Sequence, residues 1–331
     1  MSVSTTTASR EQVIEEVLAA ERFLLVTHEN PDGDALGSLI AMRGALSELG
    51  KDVLMFMPAA EMPLPYEYGF LPLDGLVTEL PGDLDERTIV FLDCGNLERN
   101  PVAGAESEGA RVLNIDHHHD NTRFGTVNHV DDEASCTAEM VWELMGRLGL
   151  RATGDVADAL YVGLVTDTGR FMYDNTGARA HVMAADLIEA GVDVHGIYRH
   201  LYEDMPYAKL DLLARALTAA QRFDDGRLTL SWLSTADFAE TGSVESYSEG
   251  VIDHLRSVEG TKVAGLVRER PGREDGGRKV SLRATDDDVD VSAIARAQGG
   301  GGHRRAAGFT TQLADAELLV FLRAAIAEQL A

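Results

Sequence analysis

Four stretches of this chain gather imidazoles and carboxylates. His28, Asp32 and Asp34 fall within seven residues, Asp93 follows the apolar run Thr88-Ile89-Val90-Phe91-Leu92, and Asp116-His117-His118 closes Val112-Leu113-Asn114-Ile115. The fourth, Thr166-Asp167-Thr168-Gly169-Arg170, lies late in a helix-period stretch. Oxygen-rich ligand sets with a minority of histidines suit Mn²⁺ or Mg²⁺ better than structural zinc, which prefers sulfur and closed tetrahedral geometry. Cys94 is the nearby thiol. Six candidates exceed what one ion with open positions uses, whereas two ions roughly 3.5–4 Å apart sharing a carboxylate would activate water for in-line attack on phosphorus. Taken alone, a strand-end His is usually a hydrogen-bonded structural residue, and Asp34 reads equally well as the N-cap of its helix. Joint placement at element ends favours chemistry.

Those ends belong to an alternating pattern. Residues 23–27, 51–57, 88–92 and 111–115 read as buried strands, and 35–49, 134–148, 155–165 and 178–190 as helices. Such alternation implies βαβ units in an α/β fold with a mostly parallel sheet, whose ligands sit outside the carboxyl ends of the strands. After Met205-Pro206 a helical segment, 207–220, leads to the turn Asp224-Asp225-Gly226. Strands are expected at 227–233, 261–267 and 279–284, alternating as half-exposed strands do, and helices at 291–297 and 314–330. The expected organisation is a catalytic domain over 1–205, a helical linker over 206–226 and a smaller α/β domain over 227–331.

The 331 residues, 45% hydrophobic and 25% charged, describe a globular chain large enough for two cores. Two cysteines cannot build a disulfide framework, the first residues offer no basic segment leading into an apolar one, and no apolar run approaches the ~18 residues of a membrane span. A cytoplasmic protein without membrane attachment is expected. A net charge of −26 argues against coating long nucleic acid. The charge is uneven: residues 251–310 hold 11 Lys and Arg against 9 Asp and Glu, so the acidic excess lies elsewhere.

The four stretches together resemble the motifs of the DHH phosphoesterase family: Val26-Thr27-His28-Glu29-Asn30-Pro31-Asp32-Gly33-Asp34-Ala35, Leu92-Asp93-Cys94, Asp116-His117-His118 with Asn121, and Gly163-Leu164-Val165-Thr166-Asp167-Thr168-Gly169-Arg170-Phe171. The resemblance implies a dinuclear manganese site, magnesium being the alternative. It puts His28 and Asp32 on one ion, Asp34, His117 and Asp167 on the other, and Asp93 between them. Asp116 would orient a neighbouring histidine, His118 would meet the substrate phosphate, and Asn121 would join the substrate contacts.

The second half carries Gly299-Gly300-Gly301-Gly302-His303-Arg304-Arg305, which lacks the Lys-Ser or Lys-Thr of a Walker loop. It resembles the glycine-rich element of the DHHA1 domain, and Val280-Ser281-Leu282-Arg283-Ala284 resembles the strand before it. Gly301 and Gly302 would then admit a phosphate close to the backbone, with His303, Arg304, Arg283 and Arg268 as further contacts. A chain with one domain of each kind is similar to the bifunctional oligoribonuclease and pAp phosphatase group. That implies action on very short RNA, on pAp and in some cases on cyclic dinucleotides such as cyclic di-AMP or the product pApA, with a possible homodimer. Three rival readings are an inorganic pyrophosphatase of the same superfamily, a RecJ-type single-strand DNA exonuclease and a non-catalytic nucleotide sensor.

Overall fold

The computed structural model of the chain describes residues 3–99, 102, 109–270 and 276–330, the side chains of residues 3–8 and of His303 apart. It divides into two compact units, Met1–Asp204 and Met205–Ala331.

The first unit runs α1 (Val3–Ala19), β1 (Arg22–Val26), α2 (Gly33–Glu48), β2 (Asp52–Phe56), β3 (Leu76–Val77), β4 (Thr88–Leu92), β5 (Val112–Asp116), β6 (Val127–Val130), α3 (Thr137–Arg147), α4 (Asp155–Asp167), α5 (Ala178–Glu189) and α6 (Val194–Tyr202). The strands form one parallel sheet in the order β3-β2-β1-β4-β5-β6. The chain winds outward from β1 through β3, then returns to pair β4 on the other side of β1, so the order reverses between β1 and β4. A crevice at the strands' carboxyl ends is expected there.

Both faces of the sheet are covered, and period-2 alternation sorts the strand residues between them. Phe23 and Leu25 of β1 join the core shared with α1 to α6, while Leu24 and Val26 join a smaller core under the loops, with Phe56, Ile89 and Phe91. Burying each such side chain contributes roughly 1.5–3 kcal/mol. In the middle of the larger core, α2 and α4 cross with almost no separation. A Cβ on Gly37 would lie 2.3 Å from the Ala159 carbonyl oxygen, and one on Gly163 would lie 3.3 Å from the Asp34 Cα.

The second unit contains α7 (Tyr207–Thr218), β7 (Gln221–Phe223), β8 (Leu228–Leu233), α8 (Thr235–Thr241), α9 (Val251–Arg256), β9 (Val263–Glu269), β10 (Arg278–Ala284), α10 (Val291–Arg296), β11 (Gly301–His303), β12 (Ala306–Thr311) and α11 (Asp315–Gln329). Its sheet runs β11-β12-β10-β9-β8-β7, antiparallel except for the parallel β8–β9 pair. Leu212 and Ala216 of α7 are buried in a core of this unit, together with Phe238 and Leu266. The half-exposed strands expected at 227–233 and 261–267 are a correction: β8 and β9 are almost wholly buried. They occupy the middle of a sheet with one apolar core on each face, so neither face alternates with solvent. Of the three expected strands, the third, β10, keeps the alternation, with Val280, Leu282 and Ala284 buried. Among the described residues no helix is long and apolar enough to cross a membrane.

Candidate metal centre

The reversal point of the first sheet is where the predicted ligands meet. His28 follows β1, Asp93 follows β4, Asp116 ends β5 and is followed by His117, and Asp167 ends α4. Three groups of potential ligands overlap, each with its donor atoms within 4.8 Å of one another: His28, Asp32 and Asp93; Asp34, His117 and Asp167; and Asp93, His117 and His118.

Each donor is aimed by a neighbour. The His28 Nδ1–H donates to the Glu29 carbonyl at 2.8 Å, turning Nε2 toward Asp93 Oδ2 at 3.4 Å. A hydrogen bond at the second ring nitrogen is how ligand imidazoles are usually oriented. Asp93 leaves the strand in a left-handed conformation, φ 58, uncommon for a residue with a Cβ. The Thr137 hydroxyl donates to its Oδ1 at 3.1 Å. His117 Nε2 stands among three carboxylates, 3.6 Å from Asp93 Oδ1, 3.7 Å from Asp167 Oδ2 and 4.0 Å from Asp34 Oδ2. The Asn175 amide donates to Asp167 Oδ2 at 3.1 Å and to the Ser135 carbonyl at 2.8 Å.

The N-cap of α2 is Asp32 rather than Asp34: Asp32 Oδ1 accepts from the amides of Asp34 and Ala35. Asp34 instead accepts from the Thr137 and Ala138 amides, at 2.7 and 2.8 Å, at the start of α3. A carboxylate at a helix N-terminus satisfies orphan amides and meets the positive end of the dipole. It also locks α3 to α2 beneath the centre.

Electrostatics show how crowded these charges are. Burial lifts the Asp34 and Asp167 carboxyls above the ordinary range, and neighbouring carboxylates add to the effect. Burial pushes Asp93 the same way, but the His28 hydrogen bond and the nearby rings outweigh it and leave its carboxyl below the usual range. Burial opposes charge on His117, yet the surrounding Asp167, Asp93 and Asp34 raise it. Clustered buried carboxylates that hold one another's protons are the environment a divalent cation relieves. The donors are imidazole nitrogens and carboxylate oxygens, with no thiolate competing: burial pushes the Cys94 thiol up to about 12 and its Sγ donates to the Asn96 carbonyl. The set fits divalent metal.

The triplet Asp116-His117-His118 divides its work. Asp116, fully buried, accepts from His118 Nδ1 at 2.7 Å. Asn121, which the resemblance puts among the substrate contacts, donates from its amide to Asp116 Oδ2 at 2.5 Å and to Asn114 Oδ1 at 2.7 Å and so also braces Asp116. Sequence reasoning missed Thr137, Asn175 and Arg99. Arg99 opposes protonation of His28, and its carbonyl accepts from the Glu29 amide at 3.0 Å. A hydroxyl or amide that holds a ligand carries no pattern in sequence, and Arg99 had only its closeness to Asp93 to mark it.

In the second unit, Arg268 is the largest of the fully buried side chains. It donates to Ser248 Oγ at 2.6 Å, Glu249 Oε1 at 3.1 Å and Ser281 Oγ at 2.8 Å. These bonds tie β9 to β10 and to the turn before α9. Arg283 is partly exposed on β10, whose residue Ser281 pairs Gly308, which in turn pairs Gly301. A Cβ on Gly301 would meet nothing within 4 Å, whereas on Gly302, φ +131, it would lie 2.5 Å from the Ala306 carbonyl oxygen. Arg304 bonds the Asp287 carbonyl at 2.8 Å and pairs with the Asp287 carboxylate at 3.6 Å. The side chain of His303 lies outside the described residues.

A parallel sheet with His and Asp gathered at its reversal point, followed by an α/β unit with a glycine-rich edge hairpin, defines a phosphoesterase of the DHH class. Residues 22–164 match the DHH family, N-terminal domain, and residues 241–331 match the DHHA1 domain. The chain belongs to this family and is a hydrolase of phosphate esters. Among its relatives, the bifunctional oligoribonuclease and PAP phosphatase NrnA of Thermus thermophilus is 35% identical over 310 residues, 90% of this chain and 87% of that protein. The Bacillus subtilis protein of the same name is 26% identical over 306 residues, 90% and 92% of the two chains. An exopolyphosphatase-related protein from Bacteroides fragilis shares the fold with a TM-score of 0.86 at 24% identity, covering 97% of this chain and 96% of that one.

Proposed function

We propose that this chain is a manganese-dependent enzyme of the cytoplasm that hydrolyses short oligoribonucleotides to nucleoside 5′-monophosphates and converts pAp to AMP, with cyclic dinucleotides and pApA as further substrates of the same site. The observation that carries the reading is the convergence of His28, Asp32, Asp34, Asp93, His117 and Asp167 at the sheet's reversal point, in groups that share Asp93 and His117. Names borne by relatives that match along nine-tenths of this chain support the choice of substrate. The homodimer implied by the resemblance belongs to the same proposal.

His28, Asp32 and Asp93 would hold one ion, and Asp34, His117 and Asp167 the other, with Asp93 common to both. Bound there, divalent ions supply Lewis-acid chemistry, polarising a phosphoryl oxygen and lowering the pKa of water. The protein's own part is positioning. Thr137 fixes the rotation of Asp93, Asn175 that of Asp167, and the α3 amides that of Asp34. Asp116 fixes His118 through Nδ1, and that ring meets the phosphate and assists the leaving oxygen. In the second unit Arg283, His303 and Arg304, with the backbone at Gly301 and Gly302, hold the substrate's other phosphate or its terminal group. Arg304 exchanges Asp287 for that anion.

Product analysis on pAp, pApA, cyclic di-AMP, five-nucleotide RNA and pyrophosphate, in manganese buffer with and without chelator, tests the reading. Release of AMP from pAp and of mononucleotides from the RNA, abolished by chelator, is expected. Turnover of pyrophosphate alone would overturn it.

A further inference from the structure

Between Asp167 and Asn175 the chain makes a short excursion whose two ends are tied together by the hydrogen bond from Asn175 to Asp167 Oδ2 at 3.1 Å. Three successive residues, Gly169, Arg170 and Phe171, have φ of 54, 64 and 63. Only the first is a glycine, and bulky residues rarely occupy that region. The conformation is held from several directions. Thr168 O accepts from the Met172 and Tyr173 amides, each at 3.0 Å, Thr168 Oγ1 accepts from the Phe171 amide at 3.1 Å, and the Phe171 ring stacks on His181 at 5.1 Å. The Tyr173 ring occupies the space a Cβ on Gly169 would need, so a glycine is required there on two counts.

This rigid turn presents large apolar side chains outward. Met172 is 66% exposed and Tyr173 38% exposed, although Phe171, the residue just before them, is packed against the core. Beside them is Arg170, whose guanidinium lies 5.1 Å from the Tyr202 ring centroid. Among the described residues the Arg170 guanidinium is in no ion pair with a carboxylate, in a chain of net charge −26. An aromatic face, a polarisable thioether and a cation held over a ring rather than by a carboxylate, all within six residues of a metal-ligand candidate, match the two halves of a nucleotide.

We propose that Tyr173 and Met172 form a nucleobase-stacking subsite of the metal centre, with Arg170 meeting a phosphate of the same ligand. The proposal rests on the phosphoesterase reading above and extends it: the base of a nucleoside phosphate is recognised by the first unit itself, through a sequence-tolerant stack. Stacking loss on alanine substitution costs each base about 1–3 kcal/mol, a several-fold to hundredfold change.

Steady-state kinetics of the full chain in manganese buffer, on pAp and on its base-free counterpart ribose 3′,5′-bisphosphate, test it. For Tyr173→Ala and Met172→Ala, KM for pAp is expected to rise roughly tenfold, while KM for the ribose bisphosphate moves less than twofold. Tyr173→Phe, which keeps the ring, restores the wild-type KM and separates stacking from misfolding. Arg170→Ala raises KM for both compounds alike. Wild-type turnover of pAp with an unchanged KM in both alanine variants overturns the subsite alone, as does an equal rise for the base-free compound. A wild-type enzyme inert toward both pAp and pApA overturns the parent reading and the subsite together.

Discussion

Asp93 is shared by two of the three groups of potential ligands, accepts the Thr137 hydroxyl and stands in a left-handed conformation. Asp93→Asn keeps the shape and removes the charge that two cations would share. Turnover of pAp is expected to fall by roughly 10²–10³ or more, and the purified protein should carry less manganese by elemental analysis; wild-type values for both would refute a bridging role. Asn121 acts one step further out. Its amide holds Asp116, which holds His118, so Asn121→Ala should lower kcat roughly 10- to 100-fold with little change in KM. A change confined to KM would instead favour the substrate contact that the resemblance implies for Asn121.

At the scale of elements, the centre depends on how closely α2 and α4 approach. A Cβ on Gly163 would come within 3.0 Å of Asp34 Oδ1 as well as 2.7 Å from the Ala138 Cβ, so Gly163→Ala must push α4 away from both α2 and α3. Overpacking of this kind costs about 1–3 kcal/mol, and because Asp34 and Asp167 sit on the two separated helices, activity should fall further than stability does. Thermal unfolding and pAp turnover measured on the same variant give the comparison. A second element-scale effect involves β6, where burial above all holds the His129 imidazole down to about 4, with Arg10 and Arg179 adding to it and Asp131 opposing it. The unfolded chain binds this proton below its ordinary pKa near 6.5 while the folded chain refuses it, so stability is complete above about pH 6.5 and is lost as pH falls toward 4. The loss amounts to about 3 kcal/mol at the lower end, and the fall in Tm between pH 6.5 and 4.5 should be shallower in His129→Gln than in the wild type.

The parallel sheet was legible because buried strands are continuous apolar runs, and the metal-ligand candidates lie just beyond such a run or at a helix terminus, Asp32 and Asp34 at the start of α2 and Asp167 at the end of α4. What escaped did so for physical reasons. The start of α1, Ser4-Thr5-Thr6-Thr7, is poor helix-forming sequence, and β6 is a four-residue edge with Asn128 and His129 at its centre. No strand was expected in the glycine run, yet Gly301 and Gly302 pair with Gly308 and Ala307 as the outer edge of a hairpin, because small residues on both strands let the backbones meet. Whole-molecule behaviour follows from where the cores lie. Among the described residues each unit has two apolar cores of its own. All six metal-ligand candidates belong to the first unit. Manganese at a hundred times its Kd should stabilise that unit by about 2.7 kcal/mol, an upward shift of roughly 5–10 °C for a unit of this size. Calorimetry should therefore resolve two transitions, of which chelator lowers one and leaves the other in place. A single transition that moves as a whole on chelation would mean that the two units unfold together, and that the metal centre stabilises the glycine-rich hairpin as well as its own sheet.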